Sequence, residues 1–329
     1  MRACAVPFYG DPIVATFWWK FFINVWQDEV DKVYAYIGND VVPIEILEYF
    51  SKLLNHPKVE YKVLRTKGHG EALKQIVLDC KEDYLFLTEE DAFVFKKGAI
   101  NREFLKVESG AFDFLGSPRG SASKEIIDAE MNKFNLTDVG LSFDTGPNFW
   151  PNFVFTTKNL LMKTDMCFDS KDWEAGETVP IIDHLLKEHG SMDTFAWVSL
   201  QIRNLTKKID YIPQYKAYPI DPFLKRNNQW TFNGNANWIH AGSMSSGLNR
   251  YLREDNKIRP EDVDHEDFIM RIAWWYIAAN YSVPILKENG LSEFVDKYLK
   301  ALTKLKLEVG ISDKEVLERR ELYENLLRY

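Results

Sequence analysis

Three consecutive acidic residues, Glu89, Glu90 and Asp91, directly follow a short apolar run at residues 84–87. The run predicts a buried strand with the three carboxylates at its carboxyl end. In α/β sheets ligands bind at that end of the strands, and carboxylate oxygens suit Mg²⁺ or Mn²⁺. On an extended backbone Glu89 and Asp91 would face the same side and could share one cation, while Glu90 faces away. The alternative is a solvated acidic turn after an edge strand.

A basic loop with two glycines, Arg-Thr-Lys-Gly-His-Gly at residues 65–70, is a second candidate. The 3.6-residue apolar pattern after it predicts a helix at 71–80. Glycines before a helix can present backbone N–H groups and the helix dipole to an anion, which makes Lys67 and Gly68 candidate ligand contacts. The loop matches neither a Walker loop nor the dinucleotide fingerprint. The alternative is an ordinary turn with a helix cap.

Acidic residues also surround Trp173, between residues 169 and 178. Glu177 lies just ahead of a helix predicted at 180–188 and closed by Gly190. A carboxylate near a helix N-terminus is held ionised by the dipole, which suits a general base, and Asp172 is the rival for that role. The alternative for each acid is helix capping alone.

A single histidine, His240, lies beside Trp238 and is followed by small residues. It is either a packed core side chain or a ligand, because the small residues after it would allow another group to come close.

Predicted strands and helices alternate through the first hundred residues, with strands at 3–8, 32–37, 60–64 and 84–87 and helices at 14–26, 43–54 and 71–80. This alternation indicates a mostly parallel α/β sheet. Further strands are predicted at 112–115, after the aromatic loop that begins at 146, and at 237–243. The polar segment 120–141 is predicted to be partly mobile. From residue 259 the pattern is helical, with a capping box at Ser312 and Glu315.

Composition limits the class of protein. A chain of 329 residues that is 46% hydrophobic can form one large domain with an appendage, or two domains. A net charge of −8 argues against a nucleic-acid partner. Three widely spaced cysteines give no disulfide framework or zinc pattern, so we expect a reducing, cytoplasmic location. We find neither a signal peptide nor an apolar run long enough to cross a bilayer.

Four stretches, in this order, resemble the GT-A fold of nucleotide-sugar-dependent glycosyltransferases of a family-two-like type, over residues 1–250. They are Ala-Cys-Ala-Val-Pro at 3–7, Lys-Gly-His-Gly-Glu-Ala-Leu at 67–73, Leu-Thr-Glu-Glu-Asp at 87–91 and Trp-Glu-Ala-Gly-Glu at 173–177. His240 is placed like the family's late metal-binding histidine. Two departures leave roles open. The metal motif is Glu-Glu-Asp rather than Asp-x-Asp, and the Gly-Glu pair is followed by Thr178 rather than by an aspartate.

The resemblance implies an α/β, GT-A (Rossmann-like) fold with a mostly parallel sheet flanked by helices. It implies a catalytic domain at 1–255 and a helical C-terminal segment at 256–329. The implied activity is metal-dependent transfer of one sugar from a UDP- or GDP-sugar to a hydroxyl of a carbohydrate or other acceptor, with inversion. The processive Gln-x-x-Arg-Trp motif is absent from the sequence, which favours transfer of a single sugar. A homodimer is a further expectation.

The resemblance also assigns roles to residues. Asp91, Glu89 and His240 would bind Mn²⁺ or Mg²⁺, and Glu177 or Asp172 would be the base. The residues expected to contact the nucleotide-sugar are Pro7, Tyr9, Asp40, Lys67, Gly68, Glu89 and Glu90. Trp150 and Trp173 would form apolar faces for the acceptor sugar. The alternatives are a nucleotidyltransferase that uses a nucleoside triphosphate, and a catalytically silent carbohydrate-binding protein of the same fold.

Overall fold

The computed structural model describes residues 1–38, 42–64, 68–120, 122–136, 147–212, 232–235, 237–242, 244, 248 and 265–327. The strands are Arg2–Phe8 (β1), Lys32–Ile37 (β2), Val59–Val63 (β3), Tyr84–Thr88 (β4), Ala92–Val94 (β5), Phe114–Gly120 (β6), Asn148–Thr157 (β7), Lys171–Trp173 (β8), Thr178–Val179 (β9), His184–Leu185 (β10), Gly190–Met192 (β11), Ile209–Tyr211 (β12), Phe232–Asn235 (β13) and Trp238–Ala241 (β14). The helices are Pro12–Phe21 (α1), Ile44–Leu53 (α2), His69–Asp79 (α3), Ala99–Glu108 (α4), Lys124–Phe134 (α5), Lys158–Leu161 (α6), Ala196–Leu205 (α7), His265–Glu288 (α8), Ser292–Glu308 (α9) and Asp313–Leu326 (α10).

The main sheet has seven strands in the order β12-β6-β7-β4-β1-β2-β3. Neighbours pair in parallel except β7, which runs antiparallel to both β4 and β6. The mostly parallel α/β sheet expected from the sequence is therefore confirmed. Because β7 is reversed, its amino-terminal half lies at the edge where β1 and β4 end. Residues from the start and from the middle of the sequence thus meet at one edge of the sheet.

The central strand β1 is buried on both faces, as expected for a parallel sheet covered by helices. Alternate side chains enter different cores. Cys4, Val6 and Phe8 pack with α1 and the C-terminal helices, whereas Ala3 and Ala5 pack with α3. This period of two fixes the register of the strand, because a slip of one residue would exchange the two sets.

The C-terminal segment folds into three helices, which confirms the helical prediction there. Helix α8 packs on α1, and Ser282 donates a hydrogen bond to the Ile13 carbonyl at 2.8 Å. Helix α10 begins with the predicted capping box, in which Ser312 and Glu315 bond to each other's backbone N–H. Residues of α8, α9 and α10 belong to the same hydrophobic core as α1. The division of the chain at residue 255 stays a prediction.

The segment 120–141, predicted to be partly mobile, contains helix α5 in its described part, and its mobility stays a prediction. Two sequence-based assignments are wrong. The helix predicted at 14–26 ends at Phe21 and continues as a π-helical turn, Phe22–Trp26. Residues 180–188 do not form a helix: β9 and β10 pair as a hairpin around a turn in which Ile181 and Asp183 have φ of 72° and 52°. The hairpin buries Val179 and Leu186 against Trp173 and α5, and this packing overrides the proline and glycine signals.

Candidate active site

The three acidic residues lie in a tight turn between β4 and β5, closed by a hydrogen bond from the Ala92 N–H to the Glu89 carbonyl at 3.1 Å. The sequence analysis assumed an extended backbone here, and the turn shows that the backbone is not extended. The side chains nevertheless separate as predicted. Glu89 and Asp91 both face His240, whereas Glu90 turns to the end of β1 and accepts a hydrogen bond from the Tyr9 N–H at 2.9 Å.

Glu89, Asp91 and His240 form a cluster in which one ligand atom from each lies within 4.8 Å of the others. The Nε2 atom of His240 is 3.0 Å from Oε2 of Glu89 and 3.3 Å from Oδ1 of Asp91. His240 and Asp91 are only 2% and 3% exposed, and Glu89 is partly exposed. Two carboxylates and one imidazole are therefore held close enough to share a single cation, with access from one side.

A small second sheet positions the histidine. Strand β14 pairs antiparallel with β5, so that His240 lies opposite Ala92. The Ala241 N–H donates to the Asp91 carbonyl at 2.9 Å, and the Met244 N–H donates to Oδ2 of Asp91 at 3.0 Å. Because Oδ2 is used in this way, Oδ1 is the oxygen that Asp91 presents to the cluster.

The charges in this cluster favour a cation. Burial acts to lower the pKa of His240, but the neighbouring Asp91 and Glu89 carboxylates outweigh it and raise the pKa to about 9. The same two carboxylates would stabilise a divalent ion in place of that proton. Carboxylate oxygens with one imidazole nitrogen suit Mn²⁺, so the residues present fit the metal that the motif implies.

Asp193 is a site residue that the sequence analysis missed. It receives a side-chain hydrogen bond from Trp150, and it lies close enough to Glu89 and His69 to interact with both charges. The indole of Trp150 in turn makes an edge contact with His240, with ring centroids 5.5 Å apart. Trp150 thus joins Asp193 to the cluster. Burial, followed by the Glu89 charge, raises the pKa of the Asp193 carboxyl.

The turn that carries Asp193 is held in an unusual conformation. The Thr194 N–H bonds to Oδ1 of Asp193 at 2.8 Å, and Phe195 has φ of 70°, which bulky residues rarely adopt. The Phe195 ring is fully buried and stacks on Phe168, which holds the turn in place. Backbone strain of this kind concentrates at functional sites. The sequence signal was an aspartate ahead of the apolar helix α7, which is also an ordinary capping signal.

The glycine-containing start of α3 is not free to bind an external anion. The Gly70 N–H donates to Oδ1 of Asp169 at 3.0 Å, and a Cβ on Gly70 would overlap with Asp169. Gly68 is close to the same carboxylate. The anion at this helix terminus is therefore a side chain of the protein itself. His69, the first residue of α3, points to the cluster, with Nε2 3.6 Å from Oε1 of Glu89.

Pro7 and Tyr9 lie at the carboxyl end of β1, beside the Glu90 carboxylate. This is the edge of the sheet at which the acidic turn also lies. Asp40 and Lys67, the other expected contacts of the nucleotide-sugar, fall outside the described residues.

Glu177, Asp172 and Trp173 lie on the β8–β10 region. Glu177 is exposed on a turn and accepts from the Glu174 N–H at 2.8 Å, and the helix expected to hold it ionised is absent from this described segment. Asp172 is exposed on β8, with Oδ1 4.0 Å from Nε2 of His189. Trp173 is buried in an edge-to-face contact with Trp197.

No protein-family model and no curated protein matches this chain. Solved structures do match. The N-terminal part of S. aureus TarS (1–349), in complex with UDP-GlcNAc, is 11% identical, with 99% of this chain and 80% of that chain covered and a TM-score of 0.43. The mannosyltransferase PcManGT from Pyrobaculum calidifontis, in complex with GDP-Man and Mn²⁺, is also 11% identical, with 99% and 85% covered and a TM-score of 0.43.

The bifunctional glycosyltransferase WbbM is 9% identical, with 64% of this chain and 38% of that chain covered and a TM-score of 0.37. At this level of similarity the functional conclusion depends on the site itself. Within the residues that the structure describes, no helix is long and apolar enough to cross a membrane.

Proposed function

We propose that this chain is a metal-dependent glycosyltransferase that moves one sugar from a nucleoside-diphosphate sugar to an acceptor hydroxyl. The observation that carries the proposal is the cluster of Glu89, Asp91 and His240 at the edge where β1 and β4 end. In open α/β sheets this edge is where ligands bind. Two carboxylates and an imidazole form a cation site, and a diphosphate is an anionic ligand that such a cation would bridge.

The residues of the site have separate tasks in this scheme. Glu89, Asp91 and His240 would hold the divalent ion, which would supply positive charge against the departing diphosphate. The end of β1 would receive the nucleoside, because Glu90 fixes the Tyr9 backbone there through its 2.9 Å hydrogen bond. His69 would lie beside the diphosphate, since its ring is 3.6 Å from the Glu89 carboxylate.

Asp193 is the base that the geometry favours. Its carboxylate is oriented by Trp150 and lies near Glu89, so an acceptor hydroxyl bound there would be close to the donor. Its raised pKa makes it a better proton acceptor than an ordinary aspartate. Asp193 would take the proton as the hydroxyl attacks, in a single displacement that inverts the anomeric centre. Glu177 and Asp172 remain the rivals, and Trp150 remains the candidate apolar face for the acceptor.

The experiment is incubation with Mn²⁺ and a panel of UDP- and GDP-sugars, with release of nucleoside diphosphate as the readout. Slow hydrolysis of one donor without acceptor, abolished by Asp91→Asn, is the expected result. Release of pyrophosphate from a nucleoside triphosphate would instead identify a nucleotidyltransferase. An unchanged rate in Asp91→Asn would refute the metal site.

The base is tested with the same assay once an acceptor is found. Asp193→Asn should bind donor and Mn²⁺ normally but transfer at least about 100-fold more slowly, the usual contribution of a general base. The matched controls are Glu177→Gln and Asp172→Asn, which should retain the wild-type rate. Loss of transfer in either control, with activity kept in Asp193→Asn, would return the base to that residue. The anomeric configuration of the product tests inversion.

A further inference from the structure

A buried asparagine contacts the far side of the histidine in the cluster. Asn152 lies on β7, is fully buried, and has its Nδ2 atom 3.0 Å from Nδ1 of His240. Its backbone is held in place, because Thr88 at the end of β4 donates a hydrogen bond to the Asn152 carbonyl at 3.1 Å. Its Oδ1 atom is buried and makes no hydrogen bond to any residue that the structure describes. A buried carboxamide oxygen without a partner is costly and calls for an explanation.

The two nitrogens of an imidazole have linked roles. If Nε2 faces a cation it must be without hydrogen, so the hydrogen of the ring is on Nδ1 and needs an acceptor. The imidazolium, which the two carboxylates also favour, likewise carries a hydrogen on Nδ1. A carboxamide can meet this need, because a half-turn about the Cβ–Cγ bond exchanges its oxygen and nitrogen with little change in shape.

We propose that Asn152 is a positioning residue whose side-chain oxygen accepts the Nδ1 hydrogen of His240 and so commits Nε2 to the metal. The inference rests on the proposed function, because it concerns the same cation site. It accounts for the position of a fully buried amide beside the ring, because the amide oxygen can then meet the Nδ1 hydrogen. Residues that orient a metal-binding histidine in this way typically contribute 10- to 100-fold in metal affinity.

Among the residues that the structure describes, Asn152 is the one whose side chain lies within hydrogen-bond distance of Nδ1 of His240. Trp150, two residues earlier on β7, makes only an edge contact with the His240 ring, at an interplanar angle of 88°. Glu89 and Asp91 both lie on the Nε2 side. The strand β7 therefore approaches the ring from the side opposite the carboxylates and supplies the amide there.

The first test is the affinity for Mn²⁺, measured by titration with electron paramagnetic resonance. Asn152→Leu removes the acceptor at similar volume and should weaken Mn²⁺ binding about 10- to 100-fold. Asn152→Asp keeps an acceptor and should bind Mn²⁺ at least as tightly as wild type. The matched control is Asn148→Leu, the same change at another fully buried asparagine of β7, which should leave Mn²⁺ affinity unchanged. Equal weakening in Asn152→Leu and Asn152→Asp, or unchanged affinity in a folded Asn152→Leu, would overturn the proposal.

The second test needs no change at Asn152 and no bound metal. In ¹⁵N-histidine-labelled wild-type protein, the ring signals of His240 are identified by their loss in His240→Gln, and the shift of Nδ1 reports whether it carries hydrogen. We expect a hydrogen-bearing Nδ1; a bare Nδ1 would refute the role of Asn152. If wild-type protein binds no Mn²⁺, the proposed function fails, and this measurement still tests whether Nδ1 carries the hydrogen that Asn152 would accept.

Discussion

A buried aspartate at the start of α1 should make the protein more stable as the pH falls from 8 to 5, before general acid denaturation. Asp11 is fully buried and caps the helix, with Oδ1 accepting from the N–H groups of Ile13 and Val14 at 2.9 and 3.2 Å. Its Oδ2 atom has no hydrogen-bond partner among the residues that the structure describes. Asp11→Asn keeps the capping oxygen and removes the charge.

The size of the effect follows from the pKa of this group. Burial raises the pKa of Asp11 from 3.8 to about 7, although the hydrogen bonds from Val14 and Ile13 act to lower it. At a pH between 3.8 and about 7, the Asp11 carboxyl has lost its proton in the unfolded chain but keeps it in the folded protein. The charged form is thus the costly one, and stability falls as the pH rises through this range and levels off above about 7. The free energy of unfolding of Asp11→Asn, relative to wild type, should grow by about 2–3 kcal/mol between pH 5 and pH 8.

The assay is urea unfolding at pH 5, 6, 7 and 8, followed by tryptophan fluorescence. Asp128→Asn changes the formal charge equally at an exposed position on α5 and separates the effect of burial from that of net charge. A difference between Asp11→Asn and wild type that does not change with pH would refute the reasoning. So would a variant that is less stable than wild type at pH 8.

Three further predictions concern packing and the site. Gly70→Ala should destabilise the protein by about 1–3 kcal/mol in urea unfolding, because the added methyl group overlaps with Asp169; a neutral result would contradict the close approach. Arg203→Met should cost about 3–5 kcal/mol, because it leaves the fully buried Glu130 carboxylate without its partner at 3.1 Å, and Glu130→Gln in the same chain should recover part of the loss. Trp150→Phe removes the N–H that bonds to the candidate base, so kcat should fall while the Mn²⁺ affinity stays near that of wild type; equal losses in both would show that the ring acts on the metal site instead.

The parts of the site that lie at strand ends could be predicted from the sequence. The acidic turn follows β4 directly, and His240 lies on a short strand that the pattern of residues indicated. Glu89 and Asp91 face the same side even though the turn is tighter than an extended chain. The proximity of the three side chains could be predicted because it needs only a strand with carboxylates at its end and a second strand to bring the histidine.

Residues whose positions depend on long-range packing could not be predicted. Asp193 is joined to the cluster through Trp150, which lies on β7, and β7 is inserted antiparallel beside β4. Sequence patterns do not reveal which strand is inserted where. The sequence predicts a helix at 180–188 instead of the hairpin because Pro180 and Gly190 are also helix-boundary signals. It predicts an anion-binding site at the start of α3 because nothing local shows that Asp169, 99 positions from Gly70, occupies it.

One of the C-terminal helices, α8, also supports the candidate metal cluster. The Met244 N–H bonds to Asp91, and the Met244 carbonyl accepts a hydrogen bond from the indole of Trp275 on α8 at 3.0 Å. Trp275 is buried in the same core as α1, so the segment that orients the Asp91 carboxylate is fixed by the helices behind it. Oδ2 of Asp91 keeps its backbone partner only while this segment stays in place. Helix α8 therefore helps to orient a carboxylate of the candidate metal site, because the hydrogen-bond chain from Trp275 through Met244 ends at its oxygen.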